Sequence, residues 1–239
     1  MTGIVQRQDN RFIYVALGKI EALLPVSEQM PNETYKPHDR IKVFITKVEK
    51  TTKGPQIFVS RTHPGLLKRL FEIEVPEIFD GTVEIKSVAR EAGDRSKISV
   101  HADNGEIDPV GACVGTKGAR VQAIVNELKG EKIDIVQWSE DPVTFVANAL
   151  SPSKVLDVQV NEEEKSTRVI VPDYQLSLAI GKRGQNARLA AKLTNWKIDI
   201  KSETDARELG LYPREESFLP EEEEYDADEP LNIDFNDQD

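Results

Sequence analysis

The sequence predicts a multidomain chain: an all-β barrel followed by two copies of one α+β module. Three observations carry this reading. The first sixty residues alternate apolar and polar side chains with a period of two, a repeat of 66 residues follows, and each copy holds a glycine pair between two helical stripes.

In the barrel, residues 1–7, 11–18, 19–24, 40–48 and 56–60 read as five short strands separated by turn signals. Five strands with no long helix suggest a small closed barrel of the OB type, and residues 1–63 are assigned to it. Ile13, Val15 and Leu17 fall on one face of the second strand, with Phe12 and Tyr14 on the other. Lys42 and Phe44 stand opposite Ile41, Val43 and Ile45, and Phe58 stands opposite Ile57 and Val59. A barrel has one inward face, so the aromatics are expected to point outward beside Lys42 and Arg61, with Phe12 and Tyr14 as a base-stacking platform.

Pro64 ends the pattern, and residues 65–74 read as a helix through Leu66, Leu67, Leu70 and Phe71, within a linker spanning 64–80. The first copy of the repeat (81–139) then runs as strands 82–89 and 96–101, a helix opening at Asp108-Pro109, the loop Gly115-Thr116-Lys117-Gly118, a helix to Leu128 and the strand Lys132-Ile133-Asp134-Ile135. The second copy (140–202) has strands 154–160 and 167–171, Asp173 as cap, Gly181-Lys182-Arg183-Gly184, a helix to Leu193 and Lys197-Ile198-Asp199-Ile200. Between the copies Asp141-Pro142 opens a short helix ending near Leu150, and so short a connection predicts two modules packed as one body. Asp134 and Asp199 alternate with Ile and are expected to face solvent.

Two helices joined through G-x-x-G make a phosphate clamp. Glycine lets a nucleic-acid backbone approach without meeting a Cβ and adopts positive φ without steric cost. The second helix offers free N–H groups at its positive end. Lys117, Lys182 and Arg183 add charge. This is the KH arrangement, which holds about four nucleotides of single strand. Neither loop matches a Walker A or a dinucleotide fingerprint, because both follow a helix and lack the required spacing. A plain helical hairpin turn is the bland alternative, and two matched copies with basic inserts argue against it.

Composition bounds the rest. The chain has 239 residues, 38% hydrophobic and 31% charged, with a formal net charge of −11. Residues 202–239 hold 15 Asp/Glu against 2 Arg, so the acidity belongs to an expected disordered acidic tail (203–239), while the body is near neutral. No apolar run is long enough to span a bilayer, so no membrane association is expected. A single cysteine, Cys113, makes no internal disulfide, and the expected location is cytoplasmic. His38, His63 and His101 lie in different elements, and no nucleophile motif or metal-ligand spacing occurs. The chain is therefore expected to be a monomer with no enzymatic activity, no cofactor and no bound metal, and its partner is expected to be single-stranded RNA.

The residues also resemble the NusA family of bacterial transcription factors, in its S1–KH1–KH2 region. The resemblance lies in V-A-L-G-K-I-E-A-L-L-P (15–25), F-V-S-R (58–61), E-I-E-V-P-E-I (72–78), I-D-P-V-G-A-C-V-G (107–115) and A-I-G-K-R-G-Q-N (179–186). It covers roughly residues 1–205 and implies that the barrel is an S1 domain and that both repeats have type II KH topology. It further implies a role in elongation, pausing, termination and antitermination, with nascent RNA, RNA polymerase and other transcription factors as partners. In the family a polymerase-binding domain precedes this region, and none is expected in this chain. Carried over by position, the RNA contacts are the two glycine loops with Arg120 in the first module and Arg188 in the second. A ribosome-associated or RNA-turnover protein is the rival class, since polynucleotide phosphorylase also combines S1 and KH modules, in the opposite order. A third alternative is a scaffold whose KH surfaces bind protein.

Overall fold

The computed structural model describes residues 1–212. The first sixty residues form one antiparallel-rich sheet of β1 (Thr2–Gln8), β2 (Phe12–Leu17), β3 (Ile20–Pro25), β4 (Arg40–Lys42), β5 (Phe44–Thr51) and β6 (Gly54–Ser60), in the order β4-β1-β2-β3-β6-β5. The two end strands are consecutive in sequence, so the segment expected as one strand bends at Val43 and closes the barrel. Reciprocal backbone hydrogen bonds of 2.8 Å between Met1 and Val43 pin the bend. Val5, Ile13, Val15, Ala22, Leu24, Val43 and Val59 fill the interior, as the period-two pattern requires.

Helix α1 (Pro64–Glu74) is capped by the His63 ring, which accepts from Gly65 N, and α2 (Pro76–Phe79) follows after Val75. The expected linker is in fact part of the next core. Leu66, Leu67, Leu70 and Phe71 are buried against β7 (Glu84–Glu91), β8 (Arg95–His101), Cys113, Ile124 and Leu128. Four large apolar side chains at about 1.5–3 kcal/mol each bind this helix to the first module. Met30 of the barrel enters the same core.

The first module continues with α3 (Pro109–Val114), α4 (Ala119–Glu127) and β9 (Lys132–Gln137). The second repeats the order with α5 (Pro142–Ala149), β10 (Asp157–Asn161), β11 (Ser166–Val171), α6 (Leu176–Ile180), α7 (Gln185–Thr194) and β12 (Lys197–Ser202). In each, the middle strand pairs antiparallel with the first and parallel with the last, giving the sheets β7-β8-β9 and β10-β11-β12. Helix, strand, strand, two helices and strand in this pairing are the type II KH topology. The two modules share a core: Ala89 and Val136 on the outer face of the first sheet pack against Phe145, Val146, Leu150 and Leu189 of the second module.

Several expectations are corrected. Asp134 does not face solvent, because it accepts two hydrogen bonds of 2.8 Å from Arg95 and lies 3.1 Å from the buried Lys97 Nζ. Asp199, its repeat equivalent, does lie largely open. Asp173 caps no helix; its carboxylate accepts instead from the backbone and hydroxyl of Thr204. Phe44 does not project freely, since its ring stacks on His63 at 4.7 Å between centroids. Residues 203–208, expected in the tail, form α8 (Glu203–Glu208), with Ser202 as cap and Ala206 buried. Of the expected disordered tail, residues 213–239 lie outside the described residues.

Candidate nucleic-acid interface

The two glycine loops have nearly the same backbone. Gly115 and Gly181 adopt φ/ψ of 75°/174° and 77°/169°, a region essentially restricted to glycine. Lys117 and Arg183 sit at 52°/28° and 55°/28° in the left-handed region, and Gly118 and Gly184 follow at φ 77° and 72°. Each loop is closed by a bond from the second glycine N–H to the first glycine carbonyl, at 3.1 and 3.0 Å. Neither α4 nor α7 has a side-chain cap, so both helices present their opening N–H groups beside the loop.

Around these loops the cations divide into two sets. Lys117, Lys182 and Arg183 are exposed, and none of them forms an ion pair among the described residues. Thr116 is exposed beside Lys117. Arg120 is instead committed internally: its Nη1 donates to Glu77 at 2.9 Å and to the Ala112 carbonyl at 2.7 Å. Arg188 bonds Glu91 at 2.6 Å and the Arg183 carbonyl at 3.0 Å. The hydrogen bond from Arg188 holds the Glu91 carboxyl below the usual carboxylate range. Nor are the two arginines equivalent. Arg120 stands five residues after the first glycine of its loop, and the residue at that place in the second copy is Asn186.

On the barrel, strand register sets Arg7 beside Tyr14, Tyr14 beside Leu23, Leu23 beside Phe58 and Phe58 beside Lys47. This row crosses five strands and carries two half-buried aromatic rings between two cations. Arg7 lies over the Tyr14 ring at 3.4 Å, the Tyr14 hydroxyl donates to Asp9 at 2.8 Å, and Phe12 packs edge-on to Tyr14 at 6.4 Å. Phe58 is already read from sequence as an outward-facing aromatic, whereas Arg7 and Lys47 are not singled out there, because cross-strand register is not a local signal. Two that were singled out lie elsewhere. Arg61 is buried, paired with Glu33 and Glu127 and bonded to the carbonyls of Lys42 and Glu127. Lys42 borders an apolar groove between barrel and α1, and its N–H donates to Glu127. Both belong to the joint between barrel and first KH module rather than to the aromatic row.

Comparison with known proteins matches this architecture segment by segment. Residues 1–60 match the S1 RNA binding domain, 61–138 the NusA-like first KH domain and 142–208 the NusA-like second KH domain. The transcription termination/antitermination protein NusA of Bacillus subtilis is 83% identical over 234 residues, which cover 96% of this chain. This chain belongs to the NusA family. The NusA protein of Halalkalibacterium halodurans is 85% identical over 211 residues (88% of this chain), and that of Thermus thermophilus 53% over 199 (83%). The chain spans 63%, 55% and 51% of the lengths of these three NusA relatives. The first KH match begins at residue 61, so α1 belongs to the NusA-like KH unit, in agreement with its burial there.

Among the described residues, no helix is long and apolar enough to cross a membrane, and no group of three or more His, Cys, Asp or Glu could hold a metal ion. Cys113 is buried in the first KH core, and burial pushes its thiol up to about 12.

Proposed function

We propose that this chain binds single-stranded RNA through its two KH loops and the aromatic row of its S1 barrel, without catalysing a reaction. In this reading it is the RNA-binding region of a bacterial transcription elongation, termination and antitermination factor. The observation that carries the proposal is the matched pair of glycine loops, alike in backbone angles, each with exposed basic side chains that have no internal counter-ion. Lys117, Lys182 and Arg183 neutralise phosphates, while Gly115, Gly118, Gly181 and Gly184 let the RNA backbone approach. Arg120 and Arg188 position the loops through Ala112 and Arg183 instead of meeting phosphate directly. Phe12, Tyr14 and Phe58 stack bases.

The name shared by the relatives supports nascent RNA as the ligand, and RNA polymerase with other transcription factors as the assembly in which it is met. In this reading the protein works in the cytoplasm and as a monomer. The deciding experiment is fluorescence anisotropy with a labelled single-stranded RNA of about twelve nucleotides, beside matched single-stranded DNA and duplex RNA. Wild type is expected to prefer single-stranded RNA, and a variant with Lys117, Lys182 and Arg183 all changed to Asp is expected to lose it. Equal binding by the two proteins would overturn the loop assignment.

A further inference from the structure

The second KH loop faces the first KH module across a cleft of about 410 Å³, within the usual size range of a small-ligand site. One wall is Gly181, Lys182 and Gln185; the other is Asp94, in the turn between β7 and β8, and Lys132, the first residue of the edge strand β9. Lys132, like Lys182, is exposed and forms no ion pair among the described residues. The cleft therefore has an unpaired cation on each side.

Arg95 and Ser177 also line the cleft, and between its two walls Gln185 and Asp94 face each other. Gln185 Nε2 already donates to Asp94 at 2.6 Å and to Glu91 at 2.9 Å, which uses both amide protons. What this pair has left is acceptors: Gln185 Oε1 and the second Asp94 oxygen take no hydrogen bond among the described residues. Asn186, 4% exposed in the same wall, repeats the pattern. Its Nδ2 is committed to the Leu150 and Ala179 carbonyls, and its Oδ1 has no partner.

We infer that this cleft is a composite nucleotide subsite, shared by the two KH modules, that selects a base bearing an exocyclic amine. The inference rests on the single-stranded RNA reading above and adds base selectivity to it. Lys132 and Lys182 hold the phosphates on either side of the base. The acceptors of Asp94 and Gln185 receive N4–H₂ of cytosine or N6–H₂ of adenine, whereas uracil offers a carbonyl at that edge and leaves them unpaired.

The test is anisotropy with labelled A12, C12 and U12 at one salt concentration. A12 and C12 are expected to bind about tenfold more tightly than U12, the size of one base-edge contact. Asp94→Ala, and separately Gln185→Ala, should bring A12 and C12 down to the U12 level, while Lys132→Glu should weaken all three oligomers together. Thermal unfolding of each variant separates loss of selectivity from loss of fold. An order in which A12 exceeds equal C12 and U12 would indicate purine stacking and overturn the inference. So would a preference that survives both substitutions. No binding of any oligomer would sink the single-stranded RNA reading itself, whereas binding without base preference sinks only the subsite.

Discussion

Arg120 and Asn186 hold the same place in the two KH modules, and each ties the helix after the glycine loop back to the helix before it. Arg120 Nη1 donates to the Ala112 carbonyl at 2.7 Å, and Asn186 Nδ2 donates to the Ala179 carbonyl at 3.0 Å. Different side chains thus perform one structural task, and both crowd the first glycine of their loop. A Cβ on Gly115 would stand 2.7 Å from Arg120 Cγ, and one on Gly181 would stand 2.8 Å from Asn186 Cβ and from its backbone nitrogen.

Gly181→Ala is accordingly expected to cost about 1–3 kcal/mol of stability through backbone strain. It should cost more than Gly115→Ala, because its clash includes backbone that cannot swing away. Urea denaturation of the two variants would check the order, and equal midpoints would refute it.

Charge reversal should separate the loops. Lys182→Asp with Arg183→Asp removes two unpaired cations, and Lys117→Asp removes one. The double variant should lose more RNA affinity, and the salt slope of binding should fall by about 0.7 for each phosphate that is no longer neutralised. Titrations at several salt concentrations measure both. Equal losses would point to glycine geometry rather than charge.

On the barrel, Tyr14→Ala and Phe58→Ala are expected to weaken RNA binding by about 1–3 kcal/mol for each base that no longer stacks. Phe44→Ala should leave affinity largely intact, because that ring is stacked on His63 instead. Anisotropy on the three variants tests the platform, and a larger effect from Phe44 would move it.

Arg61→Ala leaves the Glu33 and Glu127 carboxylates at the barrel–KH joint without their cation. Removing one partner of a buried pair costs about 3–5 kcal/mol, to be read by chemical denaturation. An unaltered midpoint would show that the joint does not depend on this residue.

The Glu91–Arg188 pair makes the joint between KH modules acid-sensitive. Arg188 holds the Glu91 carboxyl below its ordinary value. A carboxylate with a lowered folded pKa contributes stability above its unfolded pKa, and that contribution is lost as pH falls through the folded value. Denaturation midpoints followed downward from pH 7 should fall below the usual glutamate range, near about 4.3. In Arg188→Ala that acid limb should be shallower, and an identical profile would dismiss the pair as a contributor.

Much of this protein is written in short-range pattern. Alternation at period two marks the strands of the barrel, and apolar stripes at helical spacing mark α4 and α7. The repeat of a glycine pair between two helices located both loops without any knowledge of their surroundings. These features concern residues a few places apart, where backbone geometry alone links sequence to form.

Tertiary structure decided everything that depends on a partner far along the chain. It turned Arg61 inward by supplying Glu127, 66 residues away, and drew Asp134 out of solvent by placing Arg95 and Lys97 beside it. It converted an expected linker into the core helix α1, and it set Asp94 beside Gln185, 91 residues on, across the cleft. A lone charged residue has the same sequence signature whether it ends in water, in an ion pair or at a phosphate. Which of these it becomes is settled by the desolvation it suffers and the counter-charge it meets, and both exist only once distant segments have packed.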